Sequence, residues 1–151
     1  MSAITIRQAV LSDIEALSIL FDGYRQFYER ESDVAGARQF LLDRFEHGES
    51  VLFIAHDGDE PVGFTQLYPS FSSVSMGRIY VVNDLFVNEC GRRSGVGSAL
   101  LAAAVAYAKT VGAIRLALST ACTNATAQSL YEAEGWKRDD DFFYTYTTAG
   151  G

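Results

Sequence analysis

One succession constrains this chain more than any other. A β-rich stretch, Arg78 to Asn88, runs into a basic, glycine-rich turn, Gly91 to Gly97, and then an Ala/Leu helix from Ser98 to about Thr110. Gly112 ends that helix and a second apolar strand follows, Ile114 to Ser119. Strand, helix and strand in this order make a crossover, which is parallel and right-handed when both strands share a sheet.

The segments before it are antiparallel in character. Ser50 to His56 and Pro61 to Tyr68 flank Asp57-Gly58-Asp59, a strong hairpin turn, with Pro69 expected to break the return strand. A polar loop, Ser70 to Gly77, leads into Arg78. Upstream, Thr5 to Ala9 reads as a short strand. A helix from Ile14 to about Phe27, capped by Ser12 or Asp13, has Ile14, Leu17, Leu20, Phe21 and Tyr24 at helical spacing. Asp33 starts a second helix that stops at Gly48 after His47. Downstream, Asn124 to Glu134 is helical, Gly135 closes it, and Trp136 and Phe142 to Thr147 have β character. The order is β-α-α-β-β-β-α-β-α-β-β: a single α/β (α+β) domain over residues 1–151, its mixed sheet mostly antiparallel and flanked by helices.

Size and charge narrow the function. A chain of 151 residues suits one domain with a real core. The longest apolar run, Ala99 to Ala108, makes roughly 15 Å of helix, about half a bilayer core. The first residues lack a basic and an apolar region, so no secretory signal is expected, and Cys90 and Cys122 fit free thiols in a reducing cytoplasm. Twelve basic against nineteen acidic residues give a net charge of −7, which argues against nucleic acid or an anionic membrane as partner and favours a cationic one. His47 and His56 have no Cys or acid at ligand spacing, so no metal is expected.

The turn Arg92-Arg93-Ser94-Gly95-Val96-Gly97-Ser98 carries the chemistry. Glycines there let backbone N–H groups converge on an anion, and the helix N-terminus adds roughly half a positive charge. A phosphate or pyrophosphate is the direct reading; a tight turn with solvated arginines is the plain alternative. The dinucleotide fingerprint fails, because Leu100 stands where a third glycine is needed and no acid follows about 20 residues on. A Walker loop fails for want of its Lys.

What remains, Arg92-x-x-Gly95-x-Gly97, resembles the acetyl-CoA motif of the GNAT superfamily of N-acetyltransferases. Its context strengthens the likeness: the strand Asp84-Leu85-Phe86-Val87 before it, the apolar helix after it, and Asn124-x6-Tyr131-Glu132-x2-Gly135-Trp136 downstream. The likeness implies the GNAT fold with splayed central strands and acetyl-CoA as cosubstrate. Phe86 and Val87 would then bind the pantetheine arm through backbone groups, an amide there polarising the acetyl carbonyl. Amides from Arg92 or Arg93 through Gly95, Val96, Gly97 and Ser98 would hold the pyrophosphate, and Asn124 would contact the CoA arm. Tyr131 matches the tyrosine that protonates the departing thiolate. Tyr80 to Val87 is most similar to the polyamine and histone group, which commonly carries two acids before the apolar triplet; here Asn83 precedes Asp84.

The chemistry stands on its own. An amine attacking a thioester needs to lose a proton, a donor for the oxyanion and a proton for the sulfur. Tyr131, with an ordinary pKa near 10, can donate. Asp84 can hold the cationic amine or take its proton through water, while its neighbour Asn83 is expected on the opposite face. Tyr24, Phe27 and Tyr28 either shape the amine pocket or belong to the core. The expected activity is acetyl transfer from acetyl-CoA to a primary amine, a small cationic one such as a polyamine, by direct attack in a ternary complex. The alternatives are a protein-lysine acetyltransferase, a catalytically degenerate acyl-CoA sensing module and an unrelated phosphate-binding domain. A homodimer is expected from the family likeness, with Phe142 to Tyr146 as a candidate sheet edge.

Overall fold

The computed structural model describes residues 3–92 and 94–149. The chain divides into two compact units, the first reaching Ser119 and the second beginning at Thr120.

In the first unit the strands are β1 (Ile4–Gln8), β2 (Val51–Asp57), β3 (Glu60–Ser72), β4 (Gly77–Val87) and β5 (Arg115–Ala117). They lie in one sheet in chain order, antiparallel from β1 to β4, with β5 parallel to β4. The helices are α1 (Ile14–Phe27), α2 (Val34–Glu46) and α3 (Val96–Thr110), and α3 makes the crossover from β4 to β5. The 3₁₀ turn Leu11–Asp13 precedes α1. Asp13 does not cap the helix by its side chain, as its position suggests. Its carboxylate instead takes two bonds from Arg7, at 2.6 and 2.7 Å, and one from the Val10 amide at 2.7 Å.

The apolar stripe read from α1 is the core. Ile14, Leu17, Leu20 and Phe21 pack with Ala37 and Leu41 of α2 and with Leu52, Ile54 and Phe64 of the sheet. Truncating such a buried leucine costs about 2–5 kcal/mol. Toward α3, Phe53 and Tyr80 set their rings edge-on to Tyr107.

Two departures from the sequence reading reshape the sheet. Pro69 does not break β3, which runs on to Ser72. A proline lacks only the N–H, and β2 ends opposite Leu67, so the Pro69 nitrogen faces a side with no ladder to complete. The register between β3 and β4 also shifts by one, pairing Gln66 with Asp84 but Leu67 with Val82, and leaves Asn83 as the extra residue of a bulge. Tyr80 therefore meets α3 while Phe86, six residues on, meets Tyr24 of α1.

Helix α1 closes in a Schellman arrangement: Arg30 N–H bonds the Arg25 carbonyl, Glu29 N–H bonds that of Gln26, and Glu29 takes the left-handed conformation at φ 63°. Glycine relieves that conformation, so Glu29→Gly is expected to raise stability by about 1 kcal/mol, about 2–4 °C in Tm, in a thermal melt.

In the second unit, α4 (Ala125–Ala133) begins one residue after Asn124. No strand forms among the described residues from Trp136 onward, although Phe142 to Thr147 has strand composition. Strand preference is a preference for a pleated, half-buried surface, which composition alone cannot supply.

Candidate active site

The site grows from the end of β4. Pairing with β5 ends at Val81 opposite Ala117, so within the first unit residues 82–87 have no strand neighbour on that side. Asn88 N–H bonds the Val62 carbonyl of β3. By antiparallel alternation Phe86 also turns its backbone groups to β3, while Leu85 and Val87 turn theirs to the open edge. Phe86 thus presents its ring to the pocket while its backbone groups face β3, and Leu85 and Val87 are the residues whose backbone groups stand at the open edge; the twofold alternation of a strand is the signal for this.

Beside this edge lies a pocket of about 190 Å³, lined by Tyr24, Phe27 and Tyr28 of α1, by Leu85, Phe86 and Val87, and by Arg92. Gly23 lets α1 approach: a Cβ there would stand 3.3 Å from the Phe86 ring. The loop after α1 is tied down by buried Asp22, whose carboxylate accepts from Gln26, Ser32 Oγ and the Asp33 amide at 2.7–2.9 Å. Those bonds hold the Asp22 carboxyl below the usual range against the opposing pull of burial.

The turn into α3 has the geometry an anion needs. Gly95 is the N-cap residue, at φ 75°, ψ 15°, and no side chain caps the helix. The first-turn amides, Val96, Gly97 and Ser98, have no acceptor within the helix by construction. Arg92 folds back, its Nε donating to the Val87 carbonyl at 3.1 Å. Arg93 lies outside the described residues.

Asp84 is buried, 3% exposed, at the bulge. Gln66 Nε2 donates to its Oδ2 at 2.5 Å and Asn83 Nδ2 to its Oδ1 at 3.0 Å. Asn83 is thus a partner of Asp84 rather than a residue of the opposite face, because the bulge interrupts the alternation. Burial pushes the Asp84 carboxyl up, and the donors Gln66, Asn83 and Tyr24 only partly offset it. A carboxyl whose folded pKa is raised contributes its full stability while protonated, below about 3.8, and loses it as pH rises through the folded value. Asp84→Asn, which cannot ionise, is therefore expected to gain Tm on wild type as pH rises from 4 to 8. A constant difference across that range would contradict this.

In the second unit, Asn124 caps α4, its Oδ1 accepting from the Ala127 amide at 3.1 Å. That use leaves Nδ2 as the donor toward a ligand. Tyr131 lies two turns on, its ring centroid 6.4 Å from that of Trp136 and its carbonyl bonded by the Trp136 amide at 3.0 Å. Cys90 and Cys122 are free thiols. His47 sits at the C-terminus of α2, its Nδ1 2.7 Å from the Asp43 carbonyl. Among the described residues no cluster of three or more His, Cys, Asp or Glu could hold a metal, and no helix is long and apolar enough to cross a membrane.

Residues 15–136 match the acetyltransferase (GNAT) family, and the chain belongs to that family. It is an acetyl-transfer enzyme of the N-acetyltransferase class, whose acetyl donor is acetyl-CoA. It is 51% identical over 139 residues to a Bacillus subtilis (strain 168) protein named uncharacterized N-acetyltransferase YhfO, covering 92% of this chain and 93% of that one. A crystal structure of a probable acetyltransferase, 39% identical, superposes with a TM-score of 0.92 over 97% of this chain and 99% of the other. The aminoglycoside N-acetyltransferase AAC(6')-Iy in complex with CoA shares the fold at 18% identity, with a TM-score of 0.82 over 99% and 97% of the two chains.

Proposed function

We propose that the enzyme passes the acetyl group of acetyl-CoA to the primary amine of a small, cationic acceptor by direct attack in a ternary complex. The observation that carries this reading is the unpaired edge of β4 at Leu85 and Val87, running past the pocket that α1 walls with Tyr24, Phe27 and Tyr28. A pantetheine arm is a chain of amides, and an unpaired strand edge offers it the donors and acceptors of a missing strand. Val87 N–H is then placed to polarise the acetyl carbonyl. The pyrophosphate rests on the amides from Gly95 to Ser98, with Arg92 and Arg93 as counter-charges, and Asn124 Nδ2 contacts the CoA arm. Tyr131 returns a proton to the thiolate.

The aromatic wall favours an ammonium acceptor, since aromatic faces attract cations. The net charge of −7 adds a long-range bias in the same direction. A polyamine fits this description and is the acceptor we favour.

The test is thiol release from acetyl-CoA across spermidine, short diamines, aminoglycosides, amino acids and lysine peptides, with a no-amine control. Release with the diamines or spermidine supports the reading. Release with lysine peptides alone moves the acceptor to proteins. Acetyl-CoA binding with no release in any arm favours an acyl-CoA sensing module.

A further inference from the structure

Two partners compete for one atom of the proposed complex. Val87 turns its carbonyl to the unpaired side of β4, where a pantetheine amide would donate to it, and that carbonyl accepts from Arg92 Nε at 3.1 Å. Arg92 also lines the pocket at the end of the same edge. One side chain therefore lies across the path of the donor's arm.

The turn that carries Arg92 is built to put it there. Asn88 Oδ1 accepts from the Gly91 amide at 3.1 Å, and Asn88 Nδ2 reaches the Pro61 carbonyl at 3.4 Å. Gly91 is buried, and a Cβ there would stand 2.8 Å from Val62 Cβ and 3.0 Å from Val87 Cγ1. Only glycine lets the chain fold back so closely on the ends of β3 and β4. The partner that holds the arginine is nevertheless a neutral carbonyl, and no Asp or Glu pairs with its guanidinium among the described residues. The charge stays available to an anion, and the uncapped start of α3 follows three residues on, at Gly95.

We infer that Arg92 sets the specificity for the acetyl donor: seated on the Val87 carbonyl it competes with a pantetheine arm, and a pyrophosphate draws it off that carbonyl. This rests on the placement of acetyl-CoA proposed above. A donor that carries the pyrophosphate offers the guanidinium a charged partner in exchange for the carbonyl, and so clears its own path along β4. A pantetheine thioester without the pyrophosphate must displace Arg92 with nothing in exchange. Arg92 thus raises the apparent Kd of such a thioester, in proportion to the share of molecules in which it is seated, while it lowers that of acetyl-CoA.

The test compares Arg92→Ala with wild type. Arg92 is exposed, and Asn88 and Gly91 hold the turn, so the variant is expected to fold as wild type does. Calorimetric titration with S-acetylpantetheine is expected to give a Kd about three- to tenfold lower in the variant, and titration with acetyl-CoA a Kd about tenfold higher. The opposite signs identify the role. A counter-charge alone leaves S-acetylpantetheine unchanged, and a purely structural arginine weakens both donors; either result overturns the inference, as does S-acetylpantetheine binding that neither protein shows. A second arm needs no ligand. The Val87 carbonyl carbon, read by NMR through the Asn88 amide, is expected to move upfield in Arg92→Ala as it loses its hydrogen bond. A carbon that does not move overturns the inference, because the arginine is then not seated there. If the carbon moves while S-acetylpantetheine binds both proteins equally, the contact exists and the placement of pantetheine along β4 is what fails, taking the inference with it.

Discussion

Replacing Tyr131 with phenylalanine is expected to lower kcat by about 10²–10³-fold while leaving the Kd for acetyl-CoA nearly unchanged. A thiolate leaving a tetrahedral intermediate needs a proton at neutral pH, and a phenol hydroxyl can give one. The substitution removes only the hydroxyl. The ring beside Trp136 is kept, and so is the bond from the Trp136 amide to the residue 131 carbonyl, which belongs to the backbone. Steady-state kinetics with calorimetric titration of acetyl-CoA separates the outcomes. Lost affinity would make Tyr131 structural, and unchanged kcat would move the acid elsewhere.

Gly95→Val is expected to do the reverse, weakening acetyl-CoA binding about a hundredfold with kcat at saturation largely retained. A side chain at this position meets no atom within 4 Å, so crowding is not the cause. The cause is φ 75°, a conformation that costs an L-residue about 1–2 kcal/mol and suits a β-branched one least. Relieving it moves the start of α3 and spreads the amides of Val96, Gly97 and Ser98. A hundredfold corresponds to one or two charge-assisted hydrogen bonds. The core face of α3, Leu100, Leu101, Ala104 and Ala108, is untouched, so the variant should still fold. An unchanged Kd would show that the turn does not hold the pyrophosphate.

Residues whose role is local were the legible ones. Gly95 and Gly97 between a strand and an apolar helix announce a helix N-terminus stripped of side chains, and the helix forms there, two residues earlier than read. Asn124 and Tyr131, seven apart, fall on one helical face, and Asn124 proves to be the cap of α4. The α1 stripe became the core almost residue for residue.

What was hidden depends on partners distant in sequence. Pro69 is harmless only because β2 stops at the level of Leu67, which no local pattern reports. The bulge at Asn83 arises in the register of two strands, and it overturned the simple alternation that set Asn83 opposite Asp84. Tyr24 occupies a helical position where core and pocket share one stripe, so spacing alone could not separate them. Asp84 read as a site acid from its place on β4. Its burial appears only once the fold brings Gln66 beside it.

In the proposed complex acetyl-CoA lies along the open edge of β4 with its acetyl group at the aromatic pocket. A crystal structure of the acetyl-CoA complex tests it most directly. Pantetheine is expected to bond the backbone of Leu85 and Val87, displacing Arg92 Nε from the Val87 carbonyl, with the pyrophosphate on the amides of Gly95 to Ser98. Acetyl-CoA bound elsewhere, with Arg92 still on Val87 and the turn vacant, would contradict the account.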